Sequence, residues 1–546
     1  MLRPAPGPVR RWAGPAAGIS AAAVLGWGLA APALWLDESA TVIATQRSWP
    51  GLWHLTAGSE APLVPFYALV KITAGTAGAV LPAGAVPPEV LYRLPSVLAA
   101  VLAAWVLGAW LARVASGALA MASIGALLLI PSFSRYGQEA RPYAFTMAAA
   151  VLATVAWSRL VGYTPRRVAG SPAVAAGRRA GLNRLSPTDP RIRAALWYAA
   201  AVTALTVANV LAASLVAAHL ALAVQGPGDL GRRRALRRTV AGAAAGLLVA
   251  LPPAAVALTN GRGPRLTLHR FTPAELAEVF FQLFTERRPQ VAGAVLLLAV
   301  ALLGLTRLRS GRYGPVARIA AAWALVPPVL LVPVVWLRPN LMTHRYLIFV
   351  VPGWAILTGL GLITIATVVR RLARAAGAPQ AGPAVGRVVV VATLAAAAVL
   401  QAAPLADLRG PAGHGEDIRP ALAAARADGR DHLPLVMSSR LGAVGLAPYA
   451  RDDEARLLGV EAQRTRRTVW PTIDGAALEA GLRDHPEVVL LLLDNRAPVC
   501  RWRARGDVSR YVTRCMPPVL REHGYHVVEA TRGGRRWTTA VLSRQP

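Results

Sequence analysis

Charged residues are scarce in this chain of 546 residues. Asp, Glu, Lys and Arg make up 16% of the sequence against 55% hydrophobic residues, and the mean hydropathy is +0.44. Soluble globular domains typically carry about 25% charged residues. The shortage of charge therefore excludes an ordinary soluble protein. Repeated apolar runs about as long as a bilayer is thick indicate a polytopic membrane protein instead.

Acidic residues and lysine are rarer still. The chain has 27 Asp and Glu against 59 Lys and Arg, a net charge of +32, and Lys71 is its single lysine. Such a basic balance is typical of nucleic-acid-binding proteins when it is gathered on one domain. Here the arginines sit between apolar runs, so we predict no nucleic-acid partner.

Cysteines and nucleotide or metal motifs are nearly absent. The two cysteines, Cys500 and Cys515, are either one disulfide, if this part of the chain is extracytoplasmic, or two unrelated thiols. The sequence contains no HExxH, paired CxxC or GxxxxGK[ST] motif. A protein-ligated structural zinc site and a P-loop nucleotide site are therefore not predicted.

Apolar runs separated by arginine clusters predict about eleven transmembrane helices. The run 194–225 is interpreted as a helical pair, because its length exceeds one bilayer crossing by a wide margin. The first run is long enough to remain a span, so we expect no cleavable signal peptide. The predicted spans lie near 13–36, 95–112, 117–133, 143–158, 194–209, 210–225, 240–258, 291–306, 319–337, 346–369 and 388–403.

The distribution of arginine sets the predicted orientation. With the N-terminus in the cytoplasm, the inside segments hold 25 arginines and the outside loops hold 12 Lys and Arg, apart from 22 after residue 404. The positive-inside rule favours this orientation in the cell membrane, and an odd number of spans places the C-terminal part outside. The first outer loop is long, about 37–93, and we expect its short apolar stretches to lie along the outer membrane surface.

The C-terminal part, 404–546, changes character and is predicted to be an extracytoplasmic α/β domain that follows a membrane domain of residues 1–403. Alternation of strands and helices predicts a partly parallel sheet. Strands are predicted at 433–439, 487–494, 525–531 and 537–543, and helices at 417–429 and 474–484.

Charged side chains near a bilayer are costly unless paired or wetted, so those on one membrane face are natural candidates for chemistry. A carboxylate can take a proton from an acceptor hydroxyl. Arginines can hold a phosphate and stabilise charge on a leaving group. The charged candidates on the predicted outer side are Asp37, Glu38, Glu60, Arg93, Arg135, Glu139, Arg141, His344 and Arg345.

The same residues also have plainer interpretations. Asp37 and Glu38 follow an apolar run, where acidic residues cap a helix start and suit its dipole. Anchoring to lipid headgroups is a common role for interfacial basic residues such as Arg135, Arg141 and His344. On the residues alone, both interpretations stay open.

Four segments in this order resemble the GT-C membrane glycosyltransferases. They are "WLDES" after the first span, "RLPSVLAA" opening the second, "RYGQEARPYAF" between the third and fourth, and "HRYLIFVVPGWAIL" opening a late span. The resemblance covers roughly residues 13–370. More narrowly, it is similar to bacterial relatives of the dolichyl-phosphate-mannose protein mannosyltransferases and to the aminoarabinose transferase of lipid A. It implies a sugar donor linked to a polyprenyl phosphate and used on the extracytoplasmic face.

The resemblance also implies roles for particular residues. Asp37 is expected to be the general base of an inverting displacement, in which it deprotonates the acceptor hydroxyl while polyprenyl phosphate leaves. Glu38 is its expected neighbour, shaping the acceptor or metal environment. The expected donor-phosphate residues are Arg93, Arg141, His344 and Arg345, and further site candidates are Tyr136, Glu139 and Tyr143.

Several points stay open at this stage. Relatives show a "PPLYY"-type segment where this chain reads "EAPLVPFY" at 60–67, so Glu60 is either a second acidic site residue or a helix-start cap. A divalent cation, Mg²⁺ or Mn²⁺, bridging Asp37 or Glu38 to the donor phosphate is also left open. The resemblance favours mannose or arabinose as the sugar. The acceptor is a glycan, a lipid or a protein, and membrane lipid is a further partner.

Two other function classes compete with glycosyl transfer. A transporter or flippase of lipid-linked sugars places ionisable residues inside its spans, often in repeated halves, whereas the apolar segments here are nearly free of charge and show no internal repeat. A non-catalytic envelope-assembly protein would use the C-terminal domain to recruit partners. No catalytic set is recognisable in that domain.

Overall fold

The computed structural model divides the chain by its internal contacts into two compact units. Unit 1 contains Met1–Trp27, Ser96–Leu258 and Gly263–Ala406, and unit 2 contains Gly28–Pro95, Thr259–Arg262 and Asp407–Pro546. The predicted first outer loop therefore shares a unit with the C-terminal part. The residues that the structure describes are 8–82, 84–162, 190–226, 231–260, 272–286, 291–337, 343–449, 456–461, 467–494, 507–533 and 536–544.

Helices account for nearly all regular structure before residue 407. Runs rich in Ala, Leu and Val satisfy their backbone groups internally as helices, which is what a hydrocarbon environment demands. The helices are α1 (Pro8–Gly26), α2 (Leu36–Gln46), α3 (Trp49–Trp53), α4 (Val64–Val80), α5 (Pro88–Val114), α6 (Gly117–Leu129), α7 (Pro131–Gly137), α8 (Tyr143–Leu160), α9 (Pro190–Ala208), α10 (Leu215–Val224), α11 (Arg232–Asn260), α12 (Pro273–Thr285), α13 (Ala292–Leu305), α14 (Gly314–Leu337), α15 (Val351–Ala375) and α16 (Gly382–Asp407).

Eight of the described helices are long and apolar enough to cross a membrane, or nine if α6 and α7 form one bent span. The predicted class, a polytopic α-helical membrane protein, is confirmed. Part of the difference from eleven comes from the run 194–225. It forms the predicted pair, α9 and α10, but each helix is shorter than a span of the usual length. Asn209 separates the two, since its side chain accepts the N–H of Leu211 and starts a 3₁₀ turn.

Helix α1 ends ten residues before the predicted limit of the first span at residue 36. The backbone turns after Gly26, and Gly28 has a φ of +66°. A Cβ atom on Gly28 would lie 2.5 Å from the side chain of Arg409. The helix stops here because glycine takes this conformation without strain and leaves room for the arginine.

Helix α4 is longer than the sequence suggested. Together with the 3₁₀ turn Ala61–Leu63 before it, it forms an apolar stretch of 20 residues that meets the length and composition of a membrane span. The interruptions that suggested shorter pieces are Pro65 and Lys71. Pro65 falls in the first helical turn, where proline is tolerated. Lys71 donates to the carbonyls of Thr45 and Arg47, at 2.9 and 2.6 Å. A surface location for α4 stays a prediction.

The C-terminal part contains the predicted four-stranded mixed sheet. Its strand order is β1-β4-β6-β5, with β1 and β4 parallel and the other pairs antiparallel. The helices are α17 (Arg419–Arg426), α18 (Arg440–Leu446), α19 (Gly475–Asp484), α20 (Val508–Cys515) and α21 (Pro518–Glu522), and the strands are β1 (Leu435–Met437), β2 (Val460–Glu461), β3 (Thr472–Ile473), β4 (Glu487–Leu493), β5 (Tyr525–Gly533) and β6 (Trp537–Arg544). Strands β2 and β3 form a separate antiparallel pair.

Strand β4 forms the centre of this domain and is buried on both faces. Val489, Leu491 and Leu493 pack into one apolar cluster, and the alternate residues Val488 and Leu490 into another. A continuous apolar run such as "VVLLLL" is what a central strand covered on two sides requires. Leu36, the first residue of α2, packs against the first cluster. The start of α2 is thereby anchored to the core of the C-terminal sheet. Cys500 lies outside the described residues, so its pairing with Cys515 stays a prediction.

Candidate functional site

The acidic pair of "LWLDES" lies in the first turn of α2, where negative charge complements the helix dipole. Successive side chains on a helix point about 100° apart, so neighbours face different surroundings. Glu38 is completely buried, whereas Asp37 is half-buried. Glu38 also accepts the N–H of Trp35 at 3.4 Å, so the capping contact belongs to Glu38.

Glu38 forms a buried ion pair with Arg93 of α5. Arg93 Nε donates to Glu38 Oε1 at 2.8 Å and Nη2 donates to Oε2 at 2.7 Å, with both side chains fully buried. The three remaining N–H groups of the guanidinium donate to backbone carbonyls at 2.8–2.9 Å, those of Leu29, Pro32 and Ala33. All five donors of Arg93 are therefore used within unit 2. Contact with a donor phosphate would require the release of one of these bonds.

His414, from the C-terminal part, is the third member of this cluster. Its Nδ1 lies 3.6 Å from Glu38 Oε2, and its side chain is fully buried. Burial by itself raises the pKa of the Glu38 carboxyl, but the charge and hydrogen bonds of Arg93, with the neighbouring imidazole, hold that pKa well below its usual range. Glu38 is thus committed to protein partners, whereas the role of Asp37 as a base stays a prediction.

Further C-terminal residues hold the segment just before α2. The Tyr449 hydroxyl accepts the N–H of Leu34 at 2.7 Å and donates to Glu89 at 2.9 Å. Burial and the Glu89 carboxylate raise the pKa of Tyr449 above its ordinary value, so it stays a donor. Arg419 reaches the same carboxylate at 3.1 Å and the carbonyl of Ala31 at 2.8 Å. The backbone that presents Asp37 is therefore fixed by Arg93 and by the C-terminal part.

Glu60, the third acidic candidate, is buried and accepts a hydrogen bond of 2.6 Å from Tyr67. It precedes the 3₁₀ turn Ala61–Leu63 but makes no capping hydrogen bond to it. Arg47 lies close enough for the Glu60 charge to offset part of the lowering of its pKa by burial. The carboxylate therefore belongs to a polar cluster with Tyr67 and Arg47, and the capping alternative is not realised as a hydrogen bond.

In unit 1, the "RYGQEARPY" motif lies at a break in a membrane helix. Helices α6 and α7 are bent by 71° at Ile130, which is extended because Pro131 follows it. Arg135 and Glu139 form a buried pair, with Nη1 3.3 Å from Oε2. The carbonyl of Arg141 accepts a hydrogen bond from Ser96 at 3.1 Å. The break lets polar side chains replace part of a span without leaving backbone groups against lipid.

The late motif "HRY" meets this region. His344 Nε2 lies 2.7 Å from the Tyr136 hydroxyl, and the guanidinium carbon of Arg345 lies 5.8 Å from the ring centres of Tyr143 and Tyr346. The Tyr136 and Tyr143 rings are in edge contact, with centroids 5.1 Å apart. Arginine over aromatic faces is a favourable arrangement for a partly desolvated cation. Unit 1 thus brings together the candidates of two distant motifs.

One member of this cluster escaped the sequence analysis. Glu286, at the end of α12, has its Oε2 3.3 Å from both the Tyr136 hydroxyl and His344 Nε2. No motif of the resemblance contains it. The signal that was available is its position, a carboxylate at the end of an amphipathic helix.

Metal binding has limited support in the described part of the chain. No group of three or more His, Cys, Asp or Glu side chains there is arranged to hold a metal ion. Both oxygens of Glu38 are engaged by Arg93. Glu38 therefore does not fit the expected bridging ligand, and bridging by Asp37 stays a prediction.

No protein-family model and no curated protein matches this sequence. Solved structures do match. The apo structure of ArnT from Cupriavidus metallidurans aligns over 96% of this chain and 96% of ArnT, with 16% identity and a TM-score of 0.54. The structure of the same protein bound to undecaprenyl phosphate aligns over 97% of this chain and 98% of ArnT, with 16% identity and a TM-score of 0.52.

The chain has the GT-C fold. The apo oligosaccharyltransferase of Archaeoglobus fulgidus is a second neighbour with this fold, at 11% identity and a TM-score of 0.50, covering 82% of this chain and 64% of that enzyme. The GT-C fold and the helical membrane class expected from the four motifs are thereby confirmed.

Proposed function

We propose that this chain is a membrane glycosyltransferase that takes a sugar from a polyprenyl-phosphate donor and transfers it to an envelope glycan, lipid or protein on the extracytoplasmic face. The observation that carries the proposal is the buried cluster at the break between α6 and α7. There, arginines, tyrosines and carboxylates replace apolar residues at the end of a membrane span. Such residues are expensive in a membrane and mark functional sites. The GT-C fold, shared with a protein that binds undecaprenyl phosphate, adds support.

In this proposal Asp37 is the general base. Its carboxylate takes the proton of the acceptor hydroxyl, the hydroxyl oxygen attacks the anomeric carbon, and the bond from that carbon to the phosphate oxygen breaks with inversion. Polyprenyl phosphate leaves with the electron pair. Glu38 is given a positioning role, because its charge is neutralised by Arg93 and it cannot accept the proton without losing that pair.

The residues of unit 1 are assigned to the donor. Arg141, His344 and Arg345 bind the phosphate and stabilise the charge that develops on it. Tyr136, Tyr143 and Glu139 line the same region and orient these groups. Sequence reasoning also placed Arg93 with the phosphate. We assign it instead to the fixing of Glu38 and of the backbone before α2, since its five donors are engaged there.

The test is transfer by purified protein from polyprenyl-phosphate mannose and polyprenyl-phosphate arabinose to envelope extracts, followed by mass spectrometry. Asp37→Asn should lower the transfer rate by about 100-fold or more, the usual contribution of a positioned base. Asp431→Asn, at an exposed residue of unit 2, is the matched control and should transfer normally. Near-normal transfer by Asp37→Asn would overturn the base assignment. Flipping of the sugar lipid without any transfer would favour a transporter.

A further inference from the structure

Glu286 has a backbone conformation that its side chain does not favour. It follows the last residue of α12 and has φ of 53° and ψ of −41°. Among the described residues, Glu286 and Asp428 are the two non-glycine residues with positive φ. Strain of this kind persists where surrounding contacts impose it, and it concentrates at ligand sites. Glu286 is held by its backbone N–H, which donates to the carbonyl of Gln282 at 3.0 Å, and by the contacts of its carboxylate.

The Glu286 carboxylate is buried, and only one of its two oxygens has hydrogen-bond partners among the described residues. The side chain is 8% exposed, and Oε2 is shared by the Tyr136 hydroxyl and His344 Nε2 at 3.3 Å each. Oε1 is buried and forms no hydrogen bond with any residue that the structure describes. A buried carboxylate oxygen without a donor is costly, because it has lost its water and gained nothing in exchange. Glu286 Oε1 can therefore accept a hydrogen bond from a bound ligand.

An ionised carboxylate oxygen only accepts, so a ligand group that bonds to Glu286 Oε1 must carry a donor. An ionised phosphate oxygen offers no donor, whereas a sugar hydroxyl offers one. We propose that Glu286 recognises the sugar of the lipid-linked donor, with Oε1 accepting a hydrogen bond from a sugar hydroxyl while Oε2 stays with Tyr136 and His344. This inference rests on the proposed function, since it takes the ligand to be the sugar donor.

The experiment compares two lipids on the full-length purified protein. Undecaprenyl phosphate carries no sugar, and polyprenyl-phosphate mannose and arabinose carry hydroxyls. Glu286→Ala and Glu286→Gln should each weaken binding of the sugar lipids by about tenfold or more, since a hydrogen bond to a charged group is lost. Binding of undecaprenyl phosphate should change less than about twofold, which also shows that the variants are folded.

Glu278→Gln provides the matched control. Glu278 lies two turns earlier on α12, where its carboxylate accepts a hydrogen bond from Gln282 at 2.9 Å. This variant should bind both kinds of lipid as the wild type does. Equal weakening of sugar-free and sugar-bearing lipids by the Glu286 variants, or no weakening of either, would overturn the assignment.

The binding and transfer assays distinguish sugar recognition by Glu286 from transferase activity. A wild-type protein that transfers sugar, with Glu286 variants of unchanged affinity, refutes sugar recognition and leaves the transferase intact. A wild-type protein that binds sugar lipids through Glu286 and transfers to no acceptor refutes the transferase and leaves the recognition site. A wild-type protein that binds none of the lipids refutes both.

Discussion

The buried pair of Glu38 and Arg93 gives the sharpest prediction about stability. Removing one partner of a buried ion pair typically costs about 3–5 kcal/mol, because the other charge is left unpaired. Glu38→Gln leaves the guanidinium with three carbonyl acceptors and a side-chain amide. Arg93→Met leaves the buried carboxylate without its counter-ion and removes the donor from three carbonyls. At about 1 kcal/mol or more for each stranded carbonyl, we expect Arg93→Met to be the more destabilising by about 3 kcal/mol.

The measurement is denaturant unfolding in detergent micelles, followed by tryptophan fluorescence. The double variant completes a thermodynamic cycle, and the free energies of the two single changes should be strongly non-additive, because the residues share one interaction. Glu529→Gln is the matched control, since Glu529 is 51% exposed and pairs with Arg430 at 2.6 Å. That surface pair should contribute less than about 1 kcal/mol.

Two results would refute this reasoning. Equal destabilisation by Glu38→Gln and Arg93→Met would mean that the three carbonyl contacts contribute nothing. A cost below about 1 kcal/mol for both would mean that the pair is hydrated in the folded protein, as in exposed ion pairs. Either result would contradict the assignment of Arg93 as a positioning residue. It would favour the earlier prediction that Arg93 contacts the donor phosphate.

Three further predictions follow from the same contacts. The pKa of Glu38 is lower in the folded protein than in the unfolded chain, where it is near 4.3. The ionised carboxylate therefore stabilises the folded protein fully above about pH 4.3, and this stabilisation is lost as pH falls from there toward the folded pKa. The difference in melting temperature between wild type and Glu38→Gln should accordingly shrink below about pH 4. Arg141→Ala should raise the apparent KM for the sugar lipid by about tenfold and leave the acceptor KM unchanged, and equal effects in transfer assays would count against a phosphate role. Tyr449→Phe removes the hydrogen bonds of the hydroxyl with Leu34 and Glu89. The free energy of unfolding should fall by about 1–3 kcal/mol, and the transfer rate should also fall. Normal stability in the same unfolding assay would show that this hydroxyl does not hold the segment before α2.

Local pattern was enough to predict much of the fold. The long helices follow from apolar runs, and β4 follows from six consecutive apolar residues, because hydropathy and strand propensity act over a few residues. The predicted strand limits agree with β1, β4, β5 and β6 to within about two residues. The predicted end of the first span, at residue 36, was wrong. The helix ends earlier, near Gly28, which packs closely against Arg409, and a contact with a residue so far along the chain cannot be read from local sequence pattern.

The candidate site was predictable as a set of residues and not as an arrangement. Sequence reasoning selected Tyr136 and His344, 208 positions apart, and the structure joins them. It did not select Glu286, which has no motif around it and which is identified by its strained backbone and its buried, half-satisfied carboxylate. The roles of Asp37, Arg141, His344 and Arg345 stay proposals.

The residue pattern shows that Asp37 and Glu38 follow an apolar run, a position that suits the start of a helix. It does not distinguish the two carboxylates, which differ because of contacts made in the folded protein. Helix phase turns Glu38 inward, where Arg93, 55 positions away, and His414 neutralise it, and leaves Asp37 half-buried. The physical reason is that charge and burial are properties of the folded surroundings. Two adjacent carboxylates therefore enter different surroundings, and for Glu38 these are set by residues far away along the chain.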